Sequence, residues 1–140
     1  MPEYSHIEEV ASQVIATFGF TSPPIPIEAM LQHPVDGMWD VVDVTQISSG
    51  FFRPNDAHSP RMSLARLLVL HILRSEWGET HQLSTLLNSK EKTHAFARML
   101  IMPAVLLSKI PTASLNVEIL TKLFEVPAEE ARKRLEEWKP

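Results

Sequence analysis

The chain has no cysteine among its 140 residues, which excludes disulfides, thiolate metal sites and cysteine nucleophiles. It also lacks an apolar run long enough to cross a bilayer. The strongest candidate, residues 61–74, is short and carries Arg61, Arg66, His71 and Arg74, whereas a spanning helix needs roughly 20 mostly apolar residues. The opening MPEYSHIEEV has no basic region leading into an apolar stretch, so neither a secretion signal nor a membrane anchor is expected, and cytoplasmic residence follows. Basic charge is not in surplus. A net charge of −4 argues against broad, charge-driven binding to nucleic acid, although a local basic face is compatible with it. Internal repeats and low-complexity stretches are absent.

What is present is ordinary globular material. Apolar residues make up 44% and charged residues 21%, and a chain of this length buries one core without staples, so a single domain over 1–140 is expected. Ser5 followed by Glu8 has the capping-box pattern, and Ile7, Val10, Val14, Ile15 and Phe18 recur at helical spacing up to Gly19. The prolines of TSPPIP, residues 21–26, hold the chain extended, and Pro26 suits the first turn of a short helix through Leu31. A turn over His33, Pro34, Asp36 and Gly37 leads into Trp39, Val41, Val42 and Val44. Their β-branched and aromatic character predicts a strand, with residues 50–53 as its short antiparallel partner.

After a polar loop to Pro60, residues 61–74 read RMSLARLLVLHILR. Leu64, Ala65, Leu67, Leu68, Val69, Leu70, Ile72 and Leu73 surround nearly the whole helix, which places it inside the core as the organising element. Residues 76–88 read as loop with some helix. Residues 90–102 form a helix with Thr93, Phe96, Met99 and Leu100 on one face, stopped by Pro103, and 103–110 is a short apolar turn or helix. Met62, Met99 and Met102 read as core filling. The tail pairs a helix carrying Val117, Ile119, Leu120, Leu123 and Phe124 with a second carrying Ala128, Ala131 and Leu135, about a turn at Glu125, Val126 and Pro127.

This succession of elements, with the fragments PIPIEAML, RMSLA, AFARMLIMP and ILTKLFEVPAEEARKRL, resembles the ImmA/IrrE family of zinc-dependent peptidases. The family's central helix typically reads Arg-Phe-Thr-Leu-Ala-His-Glu-Leu-Gly-His, matched here by the lead-in RMSLA. Its next helix reads Glu-Ala-Asn-x-Phe-Ala-x-x-Leu-Leu-Met-Pro, matched by Phe96, Ala97, Leu100, Met102 and Pro103. The resemblance implies an α+β fold: a mostly helical, zincin-like domain with a small antiparallel sheet and a C-terminal helical pair. A peptidase-like core then spans 1–112, and the helix-turn-helix-like tail, 113–140, packs on it. The family's last strand before the central helix is missing from this sequence.

Catalysis in such enzymes needs two histidines one helical turn apart, a glutamate as general base and a third ligand from another helix. Carried over by the resemblance, those positions are Arg66, Leu67, Leu70 and Lys92. None can serve: the leucines cannot coordinate a metal, and the two cations repel one. The expectation is a pseudo-peptidase with no cofactor. Leu67 and Leu70 fill the former metal cavity, and Arg66 pairs with Glu91. A displaced metal site would have to draw on His71, His81 and His94, whose spacing fits only by giving up the RMSLA match. His6, His33 and His58 show no ligand spacing, and Ser63 has no glycine-framed elbow that would aim a base at it.

The resemblance also implies a retained partner surface in transcriptional control, stress response or mobile-element regulation, with another protein as the expected partner. The edge of the small sheet, represented by Trp39, Phe51, Phe52 and Arg53, is the expected contact, by strand addition. DNA is the alternative partner, through the C-terminal pair, with Arg132, Lys133 and Arg134 as phosphate contacts. Glu129, Glu130, Glu136 and Glu137 flank those cations and read instead as a solvated face laced with ion pairs.

Overall fold

Ile7, Val10, Ala11, Val14 and Ile15 return to one side of a helix every three or four residues, and all five are buried. They belong to α1, Pro2–Phe18, the first element of a computed structural model that describes residues 2–34, 38, 59–83 and 89–138. Gly19 ends α1 at φ 76°, and its N–H bonds back to the Ile15 and Ala16 carbonyls. This is the left-handed helix stop that glycine takes at least cost. The helix begins ahead of Ser5, so the expected capping box is not its start.

Among the described residues seven further α-helices follow: α2, Ile27–Gln32; α3, Ser59–Leu73; α4, Glu76–Thr80; α5, Lys90–Ile101; α6, Ala104–Leu107; α7, Val117–Phe124; and α8, Ala128–Trp138, with a 3-10 turn at Thr112–Ser114. Ser75, Ser89 and Asn116 cap α4, α5 and α7, each side chain accepting a first-turn N–H. Pro103 precedes α6, where its missing N–H is no loss.

α5 packs against α1 on one side and α3 on another, with α8 across it, while α2 and α4 pack on α3 and α7 on α8. The enclosed helix is therefore α5 and not α3, as the sequence reading had it. Every residue from Ala95 to Ile101 is buried, including Arg98. On α3, by contrast, Leu64, Ala65, Leu68 and Ile72 are buried, whereas Arg66, Leu67, Leu70 and His71 form a half-buried face.

The α+β expectation is corrected. Helices hold 74% of the described residues, and none of those residues lies in a strand. Each described helix packs against at least one other helix, so the described core is built helix on helix. A strand inferred from β-branched residues rested on a preference of context rather than of backbone. The segments expected to form the sheet, 39–44 and 50–53, lie outside the described residues, as do Trp39, Phe51, Phe52 and Arg53. No described helix is long and apolar enough to cross a membrane.

One glycine is required by close packing. A β-carbon on Gly78 in α4 would lie 2.1 Å from the Ile72 carbonyl oxygen at the end of α3. Backbone cannot yield there as a side-chain tip could, so Gly78→Ala lowers the free energy of unfolding by about 1–3 kcal/mol or more in a denaturant titration.

Candidate functional site

The C-terminal pair is joined to the rest by cations that reach carboxylates and helix ends. Arg61, at the start of α3, donates from Nε to the Glu125 carbonyl at 3.2 Å and from Nη2 to that of Phe124 at 3.0 Å. These are orphan acceptors at the end of α7, where Glu125 turns the chain at φ 56°. Burial lowers the Arg61 pKa, against the pull of Glu125 and Glu28.

Arg134 on α8 is 0% exposed. Its Nε donates to the Met102 carbonyl at the end of α5 at 2.9 Å, and its Nη1 and Nη2 grip both carboxylate oxygens of Glu8 on α1. The Trp138 ring lies 5.6 Å from the guanidinium carbon, close enough for a cation–π contact. One side chain thus joins three helices, with the planar fork that suits a bidentate carboxylate contact.

Glu130, also buried, receives Arg66 Nη2 at 3.3 Å and Arg98 Nη1 at 3.4 Å on the same oxygen. Arg98 continues to Glu137, its Nε donating to Oε2 at 3.1 Å and its Nη2 to the same oxygen. Burial by itself would lower the Arg98 pKa. Glu137 and Glu130 outweigh it, and the guanidinium is held more firmly protonated than usual.

The residues that the resemblance set at metal positions can now be placed. Arg66 pairs with Glu130 and not with Glu91, which instead accepts the Tyr4 hydroxyl at 3.1 Å. The expected Arg66–Glu91 pair is therefore corrected, because α8 brings a more buried carboxylate within reach of α3. Arg66 is still 38% exposed and its Nε has no hydrogen-bond partner among the described residues, so this contact is worth no more than about 1 kcal/mol. Leu67 packs against the core from its half-buried position, while Leu70 is half-buried without joining that cluster. Lys92 lies in the first turn of α5, where its N–H donates to the Ser89 hydroxyl. Zinc does not fit this set, which offers two alkyl groups, a guanidinium and an ammonium.

The histidines named as a displaced site do not come together. His81 stacks on Trp77 at 3.8 Å and its Nδ1 lies 2.8 Å from the Trp77 carbonyl, so that nitrogen carries a proton. His94 is on α5, and His71 is on the half-buried face of α3. Among the described residues no three His, Asp or Glu side chains gather as a metal group.

The three proposed phosphate contacts also separate. Arg134 is enclosed and fully engaged, which removes it from any surface. Arg132 is exposed but bonded to both Glu129 and Glu136. Lys133 points toward a cleft of about 610 Å³ lined by Tyr4, Glu91, His94, Arg98, Lys133, Glu136 and Glu137. Sequence reasoning had not joined Tyr4, Glu136 and Glu137 to α5. No local signal could do so, since α1 and α8 lie at opposite ends of the chain.

Burial lowers the His94 pKa below its ordinary 6.5, as do Arg66, Lys90 and Arg98, and Glu130 opposes them. The Tyr4 hydroxyl moves up, first through burial and then through its bond to Glu91. It stays a proton donor near neutral pH.

No protein-family model, curated protein or solved structure matches the chain.

Removing the Arg134 side chain leaves Glu8 and the Met102 carbonyl without their donor. Arg134→Ala should cost about 3 kcal/mol or more in equilibrium unfolding. Arg134→Lys should recover only part, because an ammonium cannot serve the carbonyl and both carboxylate oxygens in one plane. Equal stability of Arg134→Ala and the parent chain would refute the joint. His94 gives a pH signature. Its folded pKa lies below its unfolded one, so as pH falls below about 6.5 the unfolded chain takes up a proton that the folded chain resists, and stability declines. His94→Gln should flatten the loss between about pH 6.5 and about pH 5, above the range where carboxylates titrate. An unchanged slope in urea melts across that interval would rule His94 out as its source.

Proposed function

We propose that this protein is a non-catalytic, peptidase-like module that acts by binding another protein, in transcriptional control, stress response or mobile-element regulation. One observation carries the reading. At the positions where the resembled peptidases hold zinc and their base, Arg66 is drawn to Glu130 of α8, Leu67 and Leu70 offer no lone pair, and Lys92 offers a cation. A water held by this set would have neither a Lewis acid nor a general base. Protein is favoured over DNA as the partner because Arg134 is buried and Arg132 is neutralised by carboxylates on its own helix, which leaves α8 little free positive charge for phosphates.

The purified, untagged chain should retain well below one zinc per molecule by elemental mass spectrometry after zinc loading and dialysis. It should not cleave unfolded protein substrates, and should form a complex with a purified protein partner that survives chelator. Stoichiometric zinc with chelator-sensitive proteolysis would overturn the reading in favour of an enzyme, and DNA binding that weakens steeply with salt would overturn it in favour of a DNA-binding regulator.

A further inference from the structure

We draw no further inference here: the strongest candidate, the cleft between α1, α5 and α8 lined by Tyr4, Glu91, His94 and Lys133, selects no ligand, since its Glu91 and Lys133 charges balance, its other charged groups are paired, Arg98 with Glu137 and Glu136 with Arg132, and nothing in the structure shows what fills it.

Discussion

The position of α8 depends on two guanidinium groups held in little water. Arg134 can be wholly buried only because Glu8 neutralises it and the Met102 carbonyl takes its remaining Nε proton. Arg98 can lie inside α5 only because Glu130 and Glu137 reach it from α8. A buried ion pair adds little over a well-packed apolar pair of the same size, but it is costly to break one-sidedly. The joint therefore specifies position more than it adds stability: α8 can be satisfied in one register on α5 and α1, and a shifted register strands a charge. Arg61 does the same for α7 by occupying the carbonyls where that helix ends.

This constraint explains why α5, with a polar sequence at its start, becomes the enclosed helix. Its first turn carries Lys90, Glu91 and Lys92 at the rim, and its later turns bury Phe96, Met99 and Leu100 against α1 and α3. Arg98 would forbid that burial if read alone. With its charge met from α8, α5 can be covered on every side. The opposite happens on α3, where a nearly continuous apolar sequence keeps a half-buried face at Arg66, Leu67, Leu70 and His71.

The same arrangement shapes the candidate sites. A peptidase-like reading of Arg66, Leu67, Leu70 and Lys92 leads to chemistry without a metal or a base, and what α8 brings there is a carboxylate for Arg66. Where α8 runs on past α5, its next carboxylates and Lys133 meet Tyr4 and Glu91 and make a cleft of mixed charge. The ion joint and the cleft share Arg98 and Glu137.

Most helices were legible in the sequence because a helix is a local object. The apolar spacing of α1, Pro103 and the paired helices of the tail all act within a few residues, and the structure follows them closely. That Arg66, Leu67, Leu70 and Lys92 cannot hold zinc was equally legible, since it depends on side-chain type alone. The sequence also set which side chains carry charge. Which charges would be buried and which would pair was decided only by tertiary structure. Arg134 and Glu8 stand at opposite ends of the chain, and Arg66 had a plausible partner in Glu91 until α8 supplied a better one. A guanidinium looks solvated in any sequence, and only the folded arrangement brings its carboxylate close enough to make burial affordable.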